Sequence, residues 1–295
     1  PMTHLHLECG IELAVAPMPA RNVVAIEIRV LAGYAFEQSE YLGVAHVMTE
    51  AIGKGTARRD GRALNDAFDA IGAAHDSYCG RETVGFSCLC LPEFIEQAIE
   101  LHAEMIRTPS FPEDACEVAV ELAHQELAAL DDDPDELAKK LLHRQSYNEP
   151  LGRHPLGEKE TLDRIGREQI RRHWMNHFSA HRMQVAIAGN IEPGRASDLL
   201  EKHFAGFGDR QGQFQADSAG PGGLPLPAIP FHFSAGHQHY DKDLDQIHIT
   251  MCFPGAAITD GDFAIQQVTV GVLSGGTSSR LFTEVREKQG LVYWV

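Results

Sequence analysis

The chain alternates between two periods of apolar residues. Residues 22–31, N-V-V-A-I-E-I-R-V-L, place apolar side chains at every second position, which predicts a strand with one buried face. Residues 5–15 predict another, with Pro17 and Pro19 marking the turn between them. Residues 62–71 switch to helical spacing, and Gly72 ends that helix. Residues 73–91 run into T-V-G-F-S-C-L-C-L and predict a further strand. Pro92 to Arg107 predicts a helix with proline tolerated near its start. After breaks at Pro109 and Pro112, residues 113–130 and 135–147 predict two helices separated by D-D-D-P. Helices are expected over 166–178 and 193–204, with a strand over 183–189 between them. Strands mixed with a long run of helices point to an α+β fold, an antiparallel sheet with helices packed on one side.

The pattern then fades. Residues 208–230 are dense in glycine and proline with little periodicity, and predict a linker. Beyond it, Asp245 to Phe253 predicts a strand, Asp262 to Leu273 a helix, Ser274 to Ser279 a turn and Arg280 to Gln289 a helix. Gly290 opens a last expected strand, L-V-Y-W-V. The expected organisation is a domain at 1–207, a linker at 208–230 and the start of a second domain at 231–295. That second domain stops inside a strand, so a fragment of a longer protein is expected.

Composition narrows the function. Length, 295 residues, suits two domains, and 43% hydrophobic residues suit buried cores. A net charge of −17 argues against nucleic acid or an anionic membrane as partner. No window is apolar enough for a membrane span, and no leader segment is visible at the start. Six cysteines without a disulfide or zinc-ribbon spacing predict reduced thiols and a cytoplasmic setting.

The chemistry centres on Gly43 to Thr56, G-V-A-H-V-M-T-E-A-I-G-K-G-T. His46 and Glu50 are four apart, which puts both on one face of a helix, the way a helix grips a metal with two side chains. The stretch resembles the pitrilysin/insulinase family of zinc peptidases, which includes the mitochondrial processing peptidases. Those carry G-x-A-H-x-x-E-H followed by K-G-T, the inverted zincin motif. Aligned without a gap, the first His of the motif is His46, the catalytic Glu falls on Thr49 and the second His falls on Glu50. The family's third zinc ligand, a Glu on a later helix, falls on Glu126. The segment from Leu141 to Leu162, ending H-P-L-G-E-K-E-T-L, and S-S-R-L-F-T-E-V-R-E-K-Q-G-L-V-Y are also similar to the family. The resemblance covers both halves of the chain. It implies two homologous α+β domains, each a mainly antiparallel sheet flanked by helices, the second one truncated.

The altered motif changes what the site can do. Catalytic zinc needs three protein ligands and an open position, with a general base for its water. His46, Glu50 and Glu126 offer one imidazole and two carboxylates for zinc or another divalent ion, and weak or no occupancy is expected. A bland alternative is a hydrogen bond between His46 and Glu50. Thr49 has no basicity to act as the general base. The resemblance also implies that Arg286 and Tyr293, seven residues apart, reach toward a substrate carbonyl and can donate to a developing oxyanion. Alternatively, Arg286 pairs with Glu284 or Glu287 and Tyr293 packs in a sheet. His75 and Asp76 lie where family members bind peptide by strand addition, although those carry an Asn-Ala pair there. His4 and His6, and His237 and His239, are expected to be surface pairs. Gly275-Gly276 lacks the spacing of a phosphate loop. Two functions fit these residues. One is a non-catalytic subunit that lends the Arg286/Tyr293 pair and a peptide surface to a homologous peptidase, as a homo- or heterodimer. The other is an active metallopeptidase with a His/Glu/Glu site.

Overall fold

A computed structural model describes residues 2–208 and 229–295. Most of the expected linker therefore lies outside the described residues. The chain divides into two compact units, Pro1–Ile249 and Thr250–Val295.

The first unit is built on a six-stranded sheet. Its strands are β1 (Thr3–His6), β2 (Glu12–Pro17), β3 (Val24–Val30), β4 (Ala74–Cys79), β5 (Val84–Cys90) and β6 (Met183–Gly189). The order across the sheet is β1-β2-β6-β3-β5-β4. Neighbours are antiparallel except β2 and β6, which are parallel, so the sheet is mixed but mainly antiparallel. In β3, Val24, Ile26, Ile28 and Val30 are buried while Ala25 and Arg29 are exposed, as the alternation predicts.

Two expected strands are instead hairpins. Residues 5–15 fold back at Gly10, whose φ is 98°, with the Leu7 amide donating to the Ile11 carbonyl at 2.9 Å. A Cβ at Gly10 would lie 2.2 Å from the His181 ring, so only glycine fits there. Residues 73–91 turn between β4 and β5, where the Gly80 amide donates to the Thr83 carbonyl at 2.8 Å. Alternation from Leu5 through Leu7, Ile11 and Leu13 runs straight through the first turn and hides it, whereas β4, A-H-D-S-Y-C, carries no apolar alternation of its own.

Helices cover one face of the sheet and bury the apolar half of β2, β3, β5 and β6 in a common core. In chain order they are α1 (Val44–Ile52), α2 (Gly61–Ala70), α3 (Ile95–Arg107), α4 (Glu113–Asp131), α5 (Pro134–Ser146), the single turn α6 (Lys159–Leu162), α7 (Arg167–His177) and α8 (Pro193–Phe204). The D-D-D-P break works as expected. Asp133 caps α5 by accepting from the amides of Asp135 and Glu136, with Pro134 in the first turn. The six cysteines are all unbridged. Among the described residues no helix is long and apolar enough to cross a membrane.

The second unit holds α9 (Phe263–Ser274) and a π-helical segment, Phe282–Lys288. The strands expected over 245–253 and from Gly290 do not form. A strand persists only where its backbone groups find a neighbour, and no described residue pairs with either segment in a ladder. Ile247, Ile249, Met251 and Phe253 are accordingly exposed rather than half-buried.

Candidate functional site

Helix α1 is apolar almost all round. Val44, Ala45, Val47, Met48, Thr49, Ala51 and Ile52 are buried, and only His46 and Glu50 reach partial exposure. Such a helix belongs in the interior. It packs against α4, α7 and β4, an edge strand of the sheet.

Its start is held from outside the helix. Gly43 takes φ 98° and has no side chain to cap the first turn. Glu37 does this instead: its Oε2 accepts from the Gly43 amide at 3.0 Å and its Oε1 from the Ala45 amide at 2.8 Å. Burial pushes the Glu37 carboxyl up to about 8, against the pull of the two amides and of Arg153. The segment H-P-L-G-E-K-E-T-L cradles the same turn. Thr161 donates to the Leu42 carbonyl at 2.8 Å, and a Cβ at Gly157 would lie 2.1 Å from that oxygen. The K-G-T segment closes the other end. Thr56 accepts from the amides of Arg58 and Arg59 and bonds to Glu104, which also pairs with Arg59. Both family-like segments therefore fix α1 in place.

Of the three candidate ligands the structure brings two together. His46 Nε2 lies 2.9 Å from Glu126 Oε2, across the α1–α4 contact. The alternative of a hydrogen bond between His46 and Glu50 gives way to this one, because Glu126 approaches from the facing helix. Among the described residues no three His, Cys, Asp or Glu side chains stand close enough to share a metal ion. Glu50 thus does not complete a ligand set, and the residues present do not fit a three-ligand zinc site. Thr49 is 2% exposed and its hydroxyl donates to the Ala45 carbonyl at 2.8 Å, with the Cys79 thiol beside it. A hydroxyl turned into its own helix cannot accept a proton from a substrate water.

Two neighbours were invisible in the sequence because they come from the segment after α4. His154 is pushed down to about 4 by burial, with the Lys140 ammonium, His143 and His46 acting in the same direction and Glu136 against it. Lys140 itself pairs with Glu158 at 3.2 Å. A neutral imidazole near His46 thus stands beside the Lys140 cation.

His75 and Asp76 sit within β4, on opposite faces. The His75 ring stacks on Phe68 at 3.9 Å and is held neutral by burial, while Asp76 points outward and accepts from the Ser77 amide at 2.8 Å. In the second unit, Arg286 lies on the π-helical segment, 4.5 Å over the Phe282 ring and 3.9 Å from Glu287. Glu284 pairs with Lys288 instead. Tyr293 is 84% exposed, so the sheet packing considered for it does not occur.

The sequence profile of Insulinase (Peptidase family M16) matches residues 13–159, and that of the Peptidase M16 inactive domain matches residues 164–295. The chain belongs to peptidase family M16. An uncharacterized zinc protease from Rickettsia bellii is 28% identical over 98% of this M16 chain and 68% of its own length. The uncharacterized zinc protease YmxG of Bacillus subtilis is 27% identical over 97% and 67%. Among solved structures, a peptidase M16 inactive domain from Pseudomonas fluorescens superimposes with a TM-score of 0.80 at 19% identity. It covers 100% of this chain and 69% of that one. A protease from Helicobacter pylori gives 0.80 at 16% identity, over 100% and 70%. These two share the M16 fold.

Proposed function

We propose that this chain is a non-catalytic M16 subunit that works with a homologous peptidase partner, as a homo- or heterodimer. The observation that carries it is Thr49. At the position of the family's general base stands a buried hydroxyl engaged with its own helix. Loss of a general base removes typically about 10²–10⁴-fold in rate. The outer edge of β4, unpaired among the described residues, offers a place for a peptide to add as a strand, and Arg286 and Tyr293 supply donors suited to an oxyanion.

The chain alone is expected not to cleave unfolded peptides. Co-expressed with an H-x-x-E-H-bearing relative, it should raise turnover. Arg286→Ala and Tyr293→Phe should each cut that turnover by about 10²-fold while leaving the complex assembled. Unchanged turnover in both variants, or no association with any such chain, overturns the proposal.

The 2.9 Å approach of His46 to Glu126 favours one other function, an active metallopeptidase in which Glu50 swings in as third ligand. Robust, chelator-sensitive cleavage by the unmodified chain would establish it.

A further inference from the structure

A helix leaves its first amides without intrahelical partners, and their usual cap is the side chain at the residue just before. In α1 that residue is Gly43, so the duty passes to Glu37, six residues upstream. The Glu37 side chain is nearly sealed, the residue being 5% exposed. Among the described residues no cation forms an ion pair with its carboxyl. Arg153 approaches, but its Nη1 donates to the Glu37 backbone carbonyl at 2.7 Å and its Nε to Glu149 at 2.6 Å. From β4 the facing group is the Cys79 thiol, which burial keeps neutral. A carboxylate buried with amide donors but no counter-ion is costly to ionise.

We propose that Glu37 is the positioning residue of α1. Its carboxyl group clamps the amino end of the helix that carries His46, and ionisation of that buried, unpaired carboxyl loosens the clamp. The direction follows from linkage. The closed form holds its proton up to about pH 8, whereas an opened, hydrated carboxyl loses it near the ordinary value of 4.5. Opening is therefore increasingly favoured as pH rises from 4.5 to 8, and no further above that. Because His46 lies one turn inside the clamp, its approach to Glu126 should loosen over the same interval.

Amide hydrogen exchange on the full chain between pH 5.5 and 9.5, with intrinsic chemical rates divided out, tests this. The opening constant of the Gly43, Ala45 and Val47 amides should rise by up to about tenfold per pH unit and level off near pH 8. In Glu37→Gln, which keeps an acceptor and cannot ionise, it should be flat. In Glu37→Ala it should be raised at every pH. Amides of β3 report global opening and should not share the profile. A wild-type profile parallel to that of Glu37→Gln, or to that of β3, overturns the proposal.

Discussion

Thr49 and Glu37 show how single residues define this molecule. A Glu at position 49 would place a carboxylate where the structure has a hydroxyl bonded to Ala45. Thr49 at the position of that Glu is a reading of the sequence alone, made through the surrounding G-x-A-H and K-G-T, which hold the alignment in register. The pairing of His46 with Glu126 was legible only through the resemblance, since no local spacing links two residues on separate helices. Glu37 was not legible at all. It acts on backbone amides at Gly43 and Ala45, and backbone partners leave no trace in side-chain identity. Gly43 gives a sharper test at this scale. With φ at 98° and a Cβ that would lie 2.8 Å from Leu162 Cδ2 and 2.9 Å from the Leu156 carbonyl, Gly43→Ala is both strained and crowded. It should destabilise the fold by roughly 1–3 kcal/mol, read as a lower denaturation midpoint. An unchanged midpoint would show that α1 does not need this turn.

At the scale of elements, α1 is the piece around which the first unit is packed. Its apolar residues face the sheet, α4 and α7, so their loss leaves a cavity rather than an exposed notch. Met48, fully buried, is the clearest case: Met48→Ala should cost roughly 2–5 kcal/mol in chemical denaturation. A loss below about 1 kcal/mol would mean that the surroundings collapse onto the site. Strands and helices of this unit were largely readable from period alone. The turns at Gly10 and Gly80 were not, because the apolar series from Leu5 to Val15 runs on through the first, and β4, too polar to show a strand period, marks no boundary before the second. The segment after residue 244 failed differently. Residues 247–253 carry a sound strand pattern, yet pattern supplies only the face, and the ladder needs a partner strand.

At the scale of the whole molecule, pH links these parts. His102, His154 and His173 are pushed down to about 4, and His177 to about 3, each chiefly by burial. Their folded values lie below the ordinary 6.5, so the unfolded chain binds the extra protons between about pH 4 and 6.5. Stability should therefore fall as pH drops through that window, against a smaller opposite slope from Glu37 between 4.5 and 8. Chemical denaturation at pH 5 and pH 7 should give the higher stability at pH 7, by about 1–1.4 kcal/mol per proton and pH unit at most. Equal or reversed stabilities would show that these imidazoles are not buried neutral. Family membership was readable from sequence across both halves of the chain, and the α+β class from the first. The state of the metal site was not, because it depends on whether Glu50 turns toward His46 and Glu126. Zinc content settles that directly. Dialysed against trace zinc and analysed for the element, the unmodified chain should hold well under one zinc per molecule, and a Thr49→Glu, Glu50→His double variant should hold close to one. Stoichiometric, chelator-resistant zinc in the unmodified chain would contradict the account.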